Sequence, residues 1–86
     1  MAVMTITVTQ ADRNDVDLPI IRHVTVVSKN GKLTKALCVE ALVRFIDDGE
    51  FDKDAVDPDS IKCNDSVGMI NEEETSYYFN VSQIIF

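Results

Sequence analysis

The sequence predicts an α+β domain in which a small, mainly antiparallel sheet of about four strands carries one long helix on one face. Three features support this fold class. Residues 2–9 alternate with the period of a strand, residues 34–48 follow the period of an α-helix, and residues 76–81 alternate again. The expected order along the chain is β-β-α-β-β, within a single domain that spans residues 1–86.

The composition is that of a folded chain with an acidic surface. Of the 86 residues, 45% are hydrophobic and 27% are charged, and the net charge of −7 opposes direct binding to nucleic-acid phosphates or to an anionic membrane. No apolar run reaches the roughly 18 residues of a membrane span. The first ten residues also lack the basic start and apolar middle of a secretory signal. We therefore expect a cytoplasmic protein that contacts neither a membrane nor nucleic acid directly.

The first half of the sheet is predicted from two strand segments. In residues 2–9 the even positions from Ala2 to Val8 are apolar and define one buried face. A second strand is expected to begin after Pro19, because proline cannot donate to a ladder hydrogen bond. Nearly every residue from 20 to 27 is apolar or β-branched, so this strand is expected to lie in the centre of the sheet with both faces covered.

The helix follows a short connection that contains Asn30 and Gly31. Asn-Gly is a strong hairpin signal, but the helical period after it indicates a strand-to-helix connection with Asn30 or Thr34 near the N-cap. Gly49 is expected to end the helix. Plotted at 100° per residue, the apolar side chains cover an arc of about 200°, and Leu37 lies outside it among the charged side chains. The arc contains Cys38, Val39, Ala41, Leu42, Val43, Phe45 and Ile46. A sheet can cover one side of this helix, so a further element or molecule must cover the rest.

After the helix, residues 61–63 and 67–70 are candidates for short strands. In residues 76–81, Tyr77 and Phe79 lie on one face and Tyr78 on the other, as in a half-buried strand. The last three residues are apolar, which indicates either a docked terminus or a contact surface.

Acidic side chains are concentrated in the second half of the chain. Residues 1–46 carry six basic and four acidic side chains, whereas residues 47–86 carry two basic and eleven acidic ones. We interpret this concentration as a partner-binding surface, with a solubility surface as the alternative. Two of its acids end the helix, where the helix dipole disfavours negative charge. The predicted surface contains Asp47, Asp48, Glu50, Asp52, Asp54, Asp57 and Asp59, extended by Glu72, Glu73 and Glu74.

The sequence offers little for catalysis or metal binding. His23, the only histidine, lies in the middle of a strand, and Cys38 lies on the apolar arc of the helix, so neither is placed as a catalytic group. Two cysteines without a Cys-x-x-Cys spacing do not predict a zinc site or a disulfide framework. A calcium loop counted from Asp52 fails because Val56 and Cys63 occupy ligand positions 5 and 12. We therefore expect no enzyme activity, no cofactor and no metal.

The function predicted from these features is that of a small acidic binding protein. It is expected to inhibit or mask a basic, nucleic-acid-binding protein by presenting carboxylates where phosphates would bind. This expectation rests on a physical analogy with proteins that mimic nucleic acid. The alternative is a structural or accessory subunit that forms a homodimer. The homodimer is suggested by the wide apolar arc of the helix, by Leu37 and by the apolar residues 84–86.

Overall fold

The computed structural model describes residues 1–12, 19–46, 56–72 and 75–86 of the chain. One sheet of five antiparallel strands carries a single α-helix on one face, which confirms the predicted α+β class. The elements in chain order are β1 (Ala2–Asp12), β2 (Ile20–Ser28), α1 (Lys35–Ile46), a 3-10 turn (Pro58–Ser60), β3 (Ile61–Cys63), β4 (Val67–Asn71) and β5 (Thr75–Ile85).

The sheet has one strand more than the four that were expected. Both short candidates pair with each other as β3 and β4, and β5 then pairs with β4 and β1. The β3–β4 connection is tight because the side chain of Asn64 accepts hydrogen bonds from the backbone N–H groups of Ser66 and Val67, both at 2.9 Å. The strand order across the sheet is β2-β1-β5-β4-β3.

The expectation that residues 20–27 form a central strand is wrong. β2 lies at an edge of the sheet, and its neighbour is β1. Large apolar side chains of β2 are exposed, including Ile21 at 58%. A run of β-branched residues indicates that the backbone prefers an extended conformation. It does not indicate that the side chains are buried. The central positions belong to β1 and β5, because the last strand of the chain returns to pair with the first.

The core lies between α1 and one face of the sheet. The predicted alternation of β1 is confirmed, since its even positions from Ala2 to Val8 are all buried. α1 contributes Cys38, Ala41, Leu42 and Phe45 to this core. Leu37, expected among the charged side chains, instead packs partly buried against the core. With twelve residues α1 is short, and in the described ranges no helix is long and apolar enough to cross a membrane.

Both ends of α1 are held by specific hydrogen bonds. Thr34 is the N-cap, as one of the two predictions had it, because its Oγ1 accepts the backbone N–H of Leu37 at 3.2 Å. The predicted end at Gly49 lies outside the described residues. At the C-terminal end, the Arg22 guanidinium donates to the carbonyl oxygen of Phe45 at 3.0 Å and lies 5.3 Å from the centre of its ring. This contact gives a hydrogen-bond donor to a carbonyl group in the last described turn of the helix.

The C-terminal residues form a docked terminus. Ile84 and Ile85 belong to β5 and pair with Met4 and Val3 of β1. The ring of Phe86 lies against Gly31, which has a φ of +74° and no room for a Cβ. Phe86 nevertheless remains 84% exposed, so its docking covers little of its surface.

Candidate protein-binding surfaces

The β3–β4 hairpin brings acidic residues from two parts of the chain to one end. Ile61 pairs with Ile70, so the end of the hairpin away from its turn holds Asp59, in the 3-10 turn that precedes β3, and Glu72, just after β4. Asp57, Asp59 and Glu72 are all exposed. We call these three residues the acidic end of the hairpin. That residues 72–74 extend the acidic surface of residues 47–59 stays a prediction.

The members of the acidic end differ in their structural roles. Asp57 caps the 3-10 turn: its carboxylate accepts the backbone N–H of Asp59 at 2.9 Å, and its carbonyl oxygen accepts the hydroxyl of Ser60 at 2.6 Å. Lys35, in the first turn of α1, donates to the carbonyl oxygen of Pro58 at 3.4 Å and links the turn to the helix. The carboxylates of Asp59 and Glu72 take part in no ion pair within the described ranges. They are the members that are free to meet a partner.

Most of the predicted surface cannot be placed. Asp47, Asp48, Glu50, Asp52, Asp54, Glu73 and Glu74 lie outside the described residues. The other three predicted acids are the acidic end itself.

Asp65 provides a contrast, because it lies in the turn at the opposite end of the hairpin. Its only ion pair in the described part of the chain is with Lys32, at 3.9 Å between two exposed side chains, a geometry that contributes little to stability.

A second surface, which the sequence analysis missed, is the face of the sheet opposite α1. Cross-strand partners share a face of a sheet, so the pairing assigns its members. We call the following fourteen residues the open face: Val3, Thr5, Thr7, Thr9, Ile21, His23, Thr25, Val27, Val67, Met69, Tyr78, Asn80, Gln83 and Ile85. The pairing also places Lys62 beside Met69 at the margin of this face, and Ala11, Ser76 and Asn71 in a further row beyond Thr9 and Tyr78. None of them is acidic. The signal was present in the alternation of β1 and β2, whose solvent-side positions lack the charges that usually mark such a face.

The open face is arranged in four rows that run across the strands. The first row is apolar and contains Val27, Val3 and Ile85. The two middle rows are polar for the most part: one contains Thr25, Thr5 and Gln83, and the other contains His23, Thr7, Asn80 and Val67. The fourth row contains Ile21, Thr9, Tyr78 and Met69. Apolar side chains thus lie mainly at the two ends of the face.

The margin of the open face contains a shallow depression of about 430 Å³. It is lined by Lys62, Cys63, Asn64, Val67, Gly68, Met69 and Tyr78. Lys62 supplies the only formal charge in this lining, so the depression holds no pair of carboxylates for acid–base chemistry.

The titratable groups suited to nucleophilic catalysis are kept apart. His23 lies on the open face, where its Nδ1 is 3.0 Å from the hydroxyl oxygen of Thr7, whereas Cys38 packs on the helix-bearing face. Burial, with the neighbouring thiol of Cys63 as a smaller cause, raises the pKa of Cys38 to about 12. A thiol of this kind remains protonated at neutral pH and is a weak nucleophile. Within the described ranges, no three His, Cys, Asp or Glu side chains are grouped to hold a metal ion.

Comparisons with known proteins add no relative: no family model matches the sequence, and no match was found among curated proteins or solved structures.

Proposed function

We propose that this chain is a small, acidic, non-enzymatic protein-binding module of the cytoplasm that inhibits or masks a basic, nucleic-acid-binding partner. The observation that supports this proposal is the convergence of Asp59 and Glu72 at one end of the β3–β4 hairpin. Eleven acidic side chains belong to residues 47–86, and the register joins two of their sequence clusters.

The proposed mechanism is electrostatic. A basic partner that binds nucleic acid presents lysine and arginine side chains spaced to meet phosphates. Carboxylates held along a hairpin end can occupy the same side chains and compete with the nucleic acid. Charge complementarity of this kind mainly raises the association rate and excludes wrong partners, and salt weakens it.

The first experiment identifies the partner and tests for mimicry. The wild-type chain is immobilised and used to capture proteins from host lysate at low and at high salt. The captured protein is then purified, bound to a labelled nucleic-acid duplex and titrated with the chain. We expect capture that high salt abolishes, and displacement of the duplex. A captured protein that retains its duplex at saturating chain would contradict the mimicry.

The second experiment assigns the interaction to the acidic end. The variant Asp59→Asn/Glu72→Gln removes two charges there, and the matched control Glu40→Gln/Asp65→Asn removes two charges elsewhere while keeping hydrogen-bond acceptors. Both have the same net charge, so a difference in association rate between them does not arise from net charge. The control also removes the ion pairs of Glu40 with Arg44 and of Asp65 with Lys32, so the melting temperatures of both variants are compared first. We expect the first variant to slow association with the partner on the order of threefold to tenfold and to reduce its salt dependence. Equal association rates for the two variants would show that the acidic end is only a solubility surface.

A further inference from the structure

We infer that the open face is a homodimer interface, on which the same face of a second copy packs to form a two-layered sandwich of sheets. This inference goes beyond the proposed function and does not depend on it, because the acidic end contributes no residue to the open face. It places self-association on the sheet, whereas the sequence suggested the apolar arc of the helix, Leu37 and residues 84–86, of which Ile85 belongs to the open face.

The first line of support is the size of the exposed apolar surface. Six large side chains of the open face are between 42% and 58% exposed, namely Val3, Ile21, Val27, Val67, Tyr78 and Ile85. They form part of one continuous surface over four adjacent strands. Single exposed apolar side chains are normal, but a contiguous apolar face on a small chain marks an interaction site.

The second line of support is charge, which favours a second copy over a charged partner. The chain carries fifteen acidic side chains, yet the open face contains none. Lys62, at the margin of the face, is the one charged side chain that the described pairing adds to it, so a charged partner would gain little electrostatic attraction over most of the face. Two copies, each with a net charge of −7, repel one another, and packing along the acid-free face keeps carboxylates out of the contact.

The third line of support is that the row pattern is complementary to itself, which a two-fold symmetric interface requires. A two-fold axis that runs across the strands, between the two middle rows, exchanges the ends of the face. Val27 of one copy then lies opposite Ile21 of the other, and Ile85 lies opposite Tyr78. The middle rows also meet, with Thr5 opposite Thr7. Two of the three end pairs are therefore apolar, Val3 lies opposite Thr9, and the hydroxyl groups of the middle rows meet polar groups.

The area is also of the order that a dimer needs. Three strands about 4.8 Å apart, with seven residues at about 3.4 Å each, cover roughly 340 Å² in projection, and the shorter β4 extends this area. The accessible area of a surface covered by side chains exceeds its projection, and a standard interface buries roughly 800 Å² on each partner. Two sheets that pack face to face lie about 10 Å apart, so the side chains of both faces interdigitate.

The test combines sedimentation equilibrium with charges placed in the centre of the face. We expect the wild-type chain at tens of micromolar to sediment with twice the 9.6 kDa mass of the monomer. Thr7→Glu and Thr5→Lys should each weaken the dimer at least tenfold, because each buries two like charges across the axis. The matched control is Ala36→Glu, on the exposed side of α1, which should remain dimeric. Circular dichroism and melting temperature establish that each variant is folded.

Mixing the two variants provides the decisive measurement. Thr5 of one copy lies opposite Thr7 of the other, so equal amounts of Thr5→Lys and Thr7→Glu should form a heterodimer although neither variant forms a homodimer. Wild-type chain that remains monomeric throughout the concentration range would overturn the inference. A Thr7→Glu variant that remains dimeric would also overturn the inference. So would a wild-type chain and a Thr7→Glu variant that are both folded and monomeric, if only the wild type captures the basic partner. The last result would assign the open face to that partner.

Discussion

At the scale of single residues, the contact between α1 and the β3–β4 hairpin leaves no spare volume. A Cβ on Gly68 would lie 2.7 Å from the Sγ atom of Cys38 and 3.2 Å from the Cβ of Cys63. Both are closer than ordinary van der Waals contact, so an added methyl group must displace the helix or the strand. The glycine is therefore required by packing and not by its backbone conformation.

We expect Gly68→Ala to lower the free energy of unfolding by about 1–3 kcal/mol, the typical effect of overpacking a core. Urea denaturation measures this change. The double variant Gly68→Ala/Cys38→Ala should recover part of the loss, because the second substitution removes the nearest obstructing atom. A double variant whose loss equals the sum of the two single losses would show that the two side chains do not interfere.

The buried thiol of Cys38 makes a second prediction at this scale. Its folded pKa of about 12 lies above the ordinary value of 9.0, so its contribution to stability is complete below about pH 9 and is lost as the pH rises toward 12. The pKa of Tyr77 is also raised, by burial and then by the charge of Glu72, and acts in the same direction. We expect Cys38→Ala to weaken the fall in urea midpoint between about pH 9 and pH 11. An unchanged pH slope would show that another group dominates the alkaline loss.

At the scale of elements, the sequence predicts the two short strands and α1 closely. The expected range of 34–48 compares with Lys35–Ile46, and the predicted cap at Thr34 is confirmed. Periodicity succeeds here because a helix buries one stripe of side chains whatever element covers it. The placement of α1 on β2 was not predictable, because it depends on hydrogen bonds between the two elements. Arg44 donates to the carbonyl oxygen of Thr25 at 2.7 Å, and Arg22 donates to that of Phe45.

The N-cap is tested by two substitutions at one position. Thr34→Ala removes the oxygen that accepts the N–H of Leu37, so we expect a loss of about 1 kcal/mol in the free energy of unfolding. Thr34→Ser keeps the hydroxyl group and should cost much less. Chemical denaturation of the three proteins measures the difference. Equal losses for alanine and serine would assign the effect to the methyl group of the threonine instead.

At the scale of the whole molecule, the acidic end and the open face lie on different parts of the surface. Exposed carboxylates lie at the acidic end of the hairpin, while the open face of the same sheet holds no acid. A surplus of negative charge destabilises a compact chain through self-repulsion, which salt screens. The acidic end is thus expected to cost stability.

We therefore expect the melting temperature of the wild-type chain to rise between low and moderate salt. Asp59→Asn/Glu72→Gln should raise the melting temperature at low salt, or leave it unchanged, and should reduce the salt effect. Asp57 is left intact because its carboxylate caps the 3-10 turn. Thermal unfolding followed by circular dichroism measures both changes. A marked fall in melting temperature for this variant would indicate that Asp59 or Glu72 has a structural role.

The sequence by itself determined the local elements of this protein. Its periodicities predicted the buried positions of β1, the helix and both short strands, and its composition predicted an acidic second half. These features are local, because an apolar period of two or of 3.6 residues requires only that some surface cover one side.

Only the tertiary structure decided which strands are neighbours. The pairing of β5 with β1 joins the two ends of the chain, places β2 at an edge and assembles the open face from four strands. The pairing of β3 with β4 brings Asp59 and Glu72 to the same end of the hairpin. Contacts between distant segments depend on how the whole set of strands can pair and cover one core. Loop closure does not select among the pairings, because closing a long loop costs little more free energy than closing a short one. No pattern within a single segment carries that information.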